Sequence, residues 1–288
     1  MAEAKIGVIG GSGLYDIEGF SDVEEVTLNT PFGQPSDAIT IGTLAGKRVA
    51  FLPRHGRGHR LSPSELPVQA NIYALKMLGV EQIISVSAVG SMRNEIAPLD
   101  LVVPDQLIDR TKLRSSSFFG DGLVVHIGFA DPFCPELSQA LYDAAKLVGA
   151  TVHKGGTYVC IEGPQFSTRA ESRVYRQLGA DIIGMTAIPE AKLAREAEIC
   201  YATLALVTDY DVWHESEEPV TVEMIVANLQ KNVDTAKKVL ATIVPNLGGE
   251  RQCECAHTLQ NAIITQWDRV PNRTKERVAL LTNKYVPV

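Results

Sequence analysis

Long apolar runs are missing from this 288-residue sequence: nowhere do about eighteen apolar residues follow one another, so no membrane-spanning helix is expected. The opening MAEAKIGVIGG has one lysine and then a strand, without the basic, apolar and small-residue order of a secretory leader. The expected compartment is the cytoplasm. A basic excess is missing too. Lys plus Arg is 27 and Asp plus Glu is 34, a net charge of −7, which argues against a dedicated nucleic-acid binder. A phosphate site is still allowed, because local donors outweigh a modest global charge. Cysteine is sparse: Cys134, Cys160, Cys200, Cys253 and Cys255 are scattered along the chain. An odd, dispersed set excludes a secreted disulfide framework. Cys253-Glu-Cys255 is the one close pair and lacks a second pair at metal-ligand spacing, so no metal site is expected. Free thiols are the plain expectation; redox chemistry, or pairing with Cys200 or Cys134, stays open. No low-complexity linker or internal repeat divides the chain.

A chain of this length buries roughly 75% of its extended surface, so it needs neither disulfides nor metal to hold a core. Hydrophobic residues make up 45% and mean hydropathy is +0.03. That slight apolar surplus fits a large core or a subunit interface, and composition does not separate the two. Strand-like segments fall at 5–10, 48–53, 82–87, 101–103, 157–161, 181–183 and 200–208, and helical spacing at 64–78, 135–148, 169–178, 189–198 and 221–244. Residues 11–46 read as polar and weakly alternating, with a turn cluster at TPFGQP, and 107–134 as a long excursion. Beyond Gly248 one or two further helices are expected, bounded at Pro271. Strands alternating with helices predict a single α/β domain over 1–288, its parallel or mixed sheet covered on both faces and residues 248–288 appended as a C-terminal helical extension. Such sheets bind ligands at strand ends, and most polar clusters here follow predicted strands.

Gly10-Gly-Ser-Gly13 comes directly after the first strand. Its glycines let backbone N–H groups converge on an anion, and Ser12 adds a hydroxyl; a plain tight turn is the alternative. It is neither the spaced dinucleotide fingerprint nor a P-loop. Arg54-His-Gly-Arg-Gly-His-Arg60 follows another strand. Arginine is the planar multi-donor suited to phosphate, and the glycines beside it allow close approach; a solvated charged loop is the alternative. His55 and His59 are four apart, but the glycines between them disfavour the helix a metal pair would need. Val86-Ser-Ala-Val-Gly-Ser91 offers small side chains and the Ser87 hydroxyl, for a ligand or for packing alone. Thr208-Asp-Tyr-Asp-Val-Trp213 puts Asp209 and Asp211 at period-2 spacing, on one face if the strand continues. Such a pair can donate and accept toward a heterocycle; surface-turn carboxylates or a divalent-metal pair are the alternatives. Glu162-Gly-Pro-Gln-Phe166 and Gly184-Met-Thr186 add an aromatic face and a hydroxyl.

IGVIGGSGLYD, TPFGQPSD, RHGRGHRLSP, ANIYALK, AVGSM, IDRT, DPFCP, IEGPQFSTRAES, MTAIPEAKLAREAEICYA and TDYDVW occur in this order over about residues 4–247. Together they resemble the trimeric purine nucleoside phosphorylase family. The resemblance implies an α/β nucleoside phosphorylase fold with a mixed, partly barrel-like sheet flanked by helices. It implies phosphorolysis, in which inorganic phosphate attacks the anomeric carbon as the bond to the purine lengthens. Ser12, Arg54, His55, Ser87 and Thr186 look like phosphate ligands, with Ser87 standing where relatives often have threonine. Met185 looks like the residue facing the ribose, Phe166 like the one packing on the base, and Ala88 lines the same region. Asp209 would serve purine N7 and Asp211 the 6-amino group. Aspartate at both positions favours an adenine-type base, since a carboxylate accepts from an amino group and repels a 6-oxo oxygen. His59, Val222, Ile225 and Val226 would form the 5′ pocket, with His126 supplied by an adjacent subunit. Read alone, the three helical residues are a core stripe. The implied reaction turns S-methyl-5′-thioadenosine and phosphate into adenine and 5-methylthio-ribose 1-phosphate; action on adenosine or 6-oxopurine nucleosides is the alternative. The implied assembly is a homotrimer or a dimer of trimers, without cofactor or metal and with phosphate as co-substrate. The resemblance fades beyond Gly248, where Leu259 is a candidate, too loosely aligned to assign, for closing a neighbouring site.

Overall fold

Apolar, β-branched runs bounded by glycine become the central strands. In the computed structural model, residues 3–11, 13, 14, 17–214 and 222–286 are described, with the side chains of 222–225 excepted. Among them, β1 (Ile6–Gly10), β2 (Ser21–Val26), β3 (Ile39–Leu44), β4 (Lys47–Pro53), β5 (Gln82–Ser91), β6 (Leu101–Val103), β7 (Gln106–Arg110), β8 (Val152–Lys154), β9 (Thr157–Ile161), β10 (Ile182–Gly184) and β11 (Cys200–Tyr210) form one mixed sheet. The main path runs β2-β3-β4-β1-β5-β10-β9-β7, and a branch leaves β5 through β11 and β6 to β8. β1 lies between β4 and β5, parallel to both, and every residue in it is buried. That explains its unbroken apolar sequence.

Strand β5 organises the molecule. One edge pairs in parallel with β11 along its whole length. The other edge pairs with β1 only as far as Ser85 and with antiparallel β10 only from Gly90. Between those registers the strand has left one neighbour and not yet met the next, so Val86, Ser87, Ala88 and Val89 face an opening. The two branches rejoin through the short connections at 104–105 and 155–156, which curl this half of the sheet toward a barrel. Val89, Val102, Tyr158, Cys160, Ile182, Ala205 and Val207 form a buried apolar cluster from strands of both branches.

Helices α1 (Val68–Met77), α2 (Pro135–Leu147), α3 (Arg169–Gln177), α4 (Ala187–Glu196), α5 (Val222–Ile243) and α6 (Asn272–Thr282) surround the sheet. Ile6 and Val8 pack with Leu137 and Leu141 of α2 and with Val239 and Leu240 of α5. Ile9 packs oppositely, with Ile72 and Leu75 of α1 and Leu193 of α4. Alternation along one strand thus covers both faces, and each fully buried aliphatic side chain contributes about 1.5–3 kcal/mol.

The expected elements at 5–10, 48–53, 135–148, 169–178 and 200–208 match this architecture, whereas the strands at 106–110 and 152–154 were not expected. The polar stretch 11–46 contains β2 and β3. β2 reads SDVEEV and is almost wholly exposed at a sheet edge, so no apolar alternation marks it. Helix α1 starts at Val68 rather than 64, because Pro63 and Pro67 hold the preceding residues out of the helical region. The C-terminal segment has one α-helix and two short turns, Glu254–His257 and Trp267–Arg269. It adds a ladder to the excursion at 118–126: the N–H of His126 donates to Ala262 O at 2.9 Å, and Val125 pairs with Ile263.

Candidate active site

The loop after β4 is fastened from inside. Arg54 is 2% exposed. Its Nε donates to Glu190 Oε1 at 2.5 Å, and its Nη2 to Ser85 Oγ at 2.7 Å and Glu190 Oε2 at 3.1 Å. Nη1 donates to Val86 O at 2.8 Å, satisfying a carbonyl that the interrupted ladder leaves open. Glu190 also accepts from Tyr201 Oη at 2.9 Å. The guanidinium is therefore mainly a buried post joining β5 to α4, with one Nη1 hydrogen uncommitted among the described residues. Arg57 pairs with Glu25 at 2.7 Å and Asp37 at 3.4 Å, and Arg60 donates to Ser36 O. Two of the loop's three arginines thus shape it from outside. Gly56 has φ +69°, and a Cβ there would lie 2.9 Å from Arg60 Nε, so the turn needs glycine.

His55 is held across this loop. Its Nδ1 lies 2.8 Å from Leu61 O, and its ring stacks on His59 with centroids 4.2 Å apart. A carbonyl only accepts, so Nδ1 carries the proton and the neutral ring presents Nε2 as an acceptor. Burial, with the Arg54 charge, lowers its pKa to about 4. Ser87 lies in the opening of β5, with its Oγ buried and unpartnered among the described residues. Thr186, just before α4, is buried and makes no side-chain capping bond. Tyr158 Oη, also buried and unpartnered, neighbours both Ser87 and Thr186. Buried polar atoms without partners are rare, and the Ser87 and Tyr158 hydroxyls, gathered beside that of Thr186, suit a polar ligand. Ser12 lies outside the described residues. Two residues before it, Gly10 leaves room for Leu14: a Cβ would meet Leu14 Cδ1 at 2.2 Å.

The two aspartates meet at the far end of the same opening. The β5–β11 register shifts between Val207 and Asp209, so Thr208 is bulged. Its carbonyl accepts from Asn228 Nδ2 at 2.7 Å, and that of Val207 from Asn232 Nδ2 at 2.8 Å, both on α5. The bulge turns Asp209 and Asp211 toward Gly90. A Cβ on Gly90 would lie 3.2 Å from Asp209 Oδ2 and 3.5 Å from Asp211 Cβ. Both aspartates are buried. Burial, helped by repulsion from Asp211, raises Asp209 to about 6, although the Thr208 hydroxyl donates to its Oδ1 at 2.6 Å. Asp211 is raised by burial, tempered by neighbouring Ser172, and its Oδ2 has no partner among the described residues.

Met185 packs over Gly163, where a Cβ would lie 2.5 Å from its Sδ. Arg114, which the sequence did not single out, binds both neighbours: it donates to Met185 O at 2.5 Å and to Glu162 Oε1 at 3.0 Å. Phe166, His126 and Val226 are all exposed, and Ala88 is half-buried. The side chains of Val222 and Ile225 lie outside the described residues. Leu259 does not face outward: it is 1% exposed in its own chain's core, its N–H donating to Glu198 Oε1 at 3.1 Å. A separate cavity of about 200 Å³ lies beside the start of α1, lined by Phe32, Leu66, Val68, Arg114 and Pro189 among others. None of the candidate residues lines it.

Comparison with known proteins places the chain in a family. A family profile described as phosphorylase superfamily matches residues 5–245. The S-methyl-5′-thioadenosine phosphorylase of Geobacter sulfurreducens is 58% identical, over 99% of this chain and 100% of its own. A methylthioadenosine phosphorylase crystal structure, sourced from an antarctic soil metagenomic library, superposes with TM-score 0.94 at 52% identity, covering 100% of both chains. The methylthioadenosine phosphorylase of Schistosoma mansoni in complex with adenine gives TM-score 0.84 at 34% identity, over 90% of this chain and 99% of that one. The chain belongs to the phosphorylase superfamily, and within it to the family of methylthioadenosine phosphorylases.

Proposed function

We propose that the chain catalyses phosphorolysis of S-methyl-5′-thioadenosine, giving adenine and 5-methylthio-ribose 1-phosphate. The observation that carries this reading is the carboxyl pair around Gly90: one member protonatable near neutrality, the other with a free acceptor oxygen. In the transition state the ribosyl ring gains positive charge and the departing purine negative charge. Phosphate in the β5 opening, bound by Ser87, Thr186, His55 and the remaining Arg54 hydrogen, with Ser12 beside it, stabilises the first and attacks the anomeric carbon. Asp209, protonated on the oxygen that Thr208 does not occupy, donates to purine N7 and stabilises the second. Asp211 Oδ2 accepts from the 6-amino group.

The His55 tautomer adds a requirement. With Nδ1–H bound to Leu61, Nε2 meets phosphate either by accepting from a P–OH or after gaining a proton as the anion binds. The exposed Phe166 would cover the base, Met185 would face the ribose, and Ala88 would lie beside the nucleoside. His59, Val222, Ile225 and Val226 would receive the 5′ methylthio group, together with His126 of a neighbouring protomer. That contribution makes a trimer, or a dimer of trimers, the working unit. No helix among the described residues is long and apolar enough to cross a membrane, and a cytoplasmic setting goes with this reading.

Steady-state kcat/KM with methylthioadenosine, adenosine and inosine, at fixed phosphate, tests the substrate. Methylthioadenosine should lead inosine by about a hundredfold or more, since a mismatched 6-position leaves a buried polar group unpaired. Asp211→Asn should narrow that gap. A preference for inosine would overturn the reading.

A further inference from the structure

Four of the five cysteines, distant in sequence, converge in the fold. Cys134 precedes the first turn of α2, Cys200 opens β11, and Cys253 and Cys255 flank the start of the turn Glu254–His257. All four Sγ atoms lie within 4.8 Å of one another. Cys200 and Cys253 are 3.3 Å apart, and Cys134 and Cys253 3.6 Å. We propose that these four sulfurs form a tetrathiolate site for one tetrahedral divalent ion, zinc or iron, which fastens the C-terminal segment to the body of the protein.

Geometry and surroundings both support this. A tetrahedral ion about 2.3 Å from each sulfur holds the sulfurs roughly 3.8 Å apart, close to the separations seen. A disulfide needs about 2.05 Å, and all four thiols are unbonded. The scaffold is preformed: the N–H of Cys134 donates to Tyr201 O at 2.8 Å, and that of Cys200 to Glu81 O at 2.9 Å. Cys134, Cys200 and Cys255 are buried beside Leu137, Leu141 and Val244, a setting that excludes water and hard ligands. Four thiolates around a divalent ion leave two negative charges, and cations stand near to offset them. Arg251 Nη1 is 4.0 Å from Cys200 Sγ and is itself anchored to Glu198 O at 2.7 Å. Arg195 acts electrostatically on Cys255. The sequence expectation of no metal rested on the missing second pair. The fold supplies that pair from Cys134 and Cys200.

Full-length protein, purified in reducing buffer without chelator, is tested by elemental analysis for zinc and iron and by intact mass under non-reducing conditions. Expected is about one ion per chain, with the two elements told apart by the analysis. The double variant Cys253→Ser, Cys255→Ser should lose the ion while adenine release continues, and chelation should lower Tm. Should the variant fold poorly, cobalt(II) exchanged into the unaltered chain gives the second reading, an intense tetrahedral thiolate spectrum. Below about 0.1 ion per chain, with no cobalt spectrum on reconstitution, the proposal fails. A mass lower by paired hydrogens, showing disulfides among these cysteines in freshly reduced and re-isolated protein, overturns it equally.

Discussion

Asp209→Asn isolates the proton that the leaving purine requires. Burial raises Asp209 to about 6, so about one molecule in eleven carries the proton at pH 7, against roughly one in 1,600 for an unperturbed aspartate. The pocket thus enlarges the competent population by about a hundredfold. Asparagine keeps an N–H for N7 and the shape of the carboxylate but has no transferable proton. Loss of a positioned acid costs about 10²–10⁴ in rate, or ~3–5 kcal/mol. The assay is phosphate-dependent adenine release between about pH 5.5 and 8.5. In the unaltered chain kcat should fall as pH rises through about 6, and the variant should lack that limb. Inorganic phosphate and His55 also titrate, so the comparison is made between variant and parent in the same buffers. Stability provides an independent sign. A carboxyl raised from 3.8 to about 6 binds its proton more tightly when folded, so its contribution weakens as pH rises through that window. The variant should therefore be the more stable protein at pH 8. A variant within tenfold of the parent in rate, or one that keeps the limb, would refute the proton-donor role.

Glu190→Ala should cost about 3–5 kcal/mol in chemical denaturation, by stranding the buried Arg54 charge, and should raise the KM for phosphate; Glu190→Gln should cost less. Gly90→Ala places a Cβ 3.2 Å from Asp209 Oδ2 and 3.1 Å from Ile183 Cγ2. Its kcat should drop about tenfold or more, with the far-UV circular dichroism unchanged. His55 binds its proton at about 4 when folded and at 6.5 when unfolded, so stability should fall as pH drops from 6.5 toward 4. Urea melts of His55→Gln should show that slope reduced. Glu196, which accepts from Ser117 Oγ and the N–H of Phe118 at 2.7 Å, is raised by burial to about 7. Its charged form opposes folding above that pH, so Glu196→Gln should gain roughly 1–3 kcal/mol at pH 8 and little at pH 4.5.

The parts legible in sequence were those written locally. β1 and β4 are apolar runs with candidate loops directly after them, and the apolar run of β5 carries Ser87 within it. Asp209 and Asp211 share a site as their spacing suggested, but by a different route: a bulge at Thr208, fastened by Asn228 and Asn232, which no periodicity reveals. Arg54 stood out as a phosphate donor, yet its main partner, Glu190, lies 136 residues away. Glu190 sits among the buried apolar residues Ala187, Ile188, Ala191 and Leu193 of α4, and a carboxylate at that position was the available signal. Tyr158 and Arg114 gave none, since each acts through contacts set by barrel curvature and loop closure. The cysteine cluster was hidden for the same reason: two of its members are separated in sequence both from each other and from the Cys253-Cys255 pair.

The most direct test of phosphorolysis is to follow adenine release from methylthioadenosine with and without inorganic phosphate, and to identify the sugar product. Expected is release only with phosphate, matched mole for mole by 5-methylthio-ribose 1-phosphate. Release that continues without phosphate and yields free 5-methylthioribose would contradict a bound anion acting as the nucleophile.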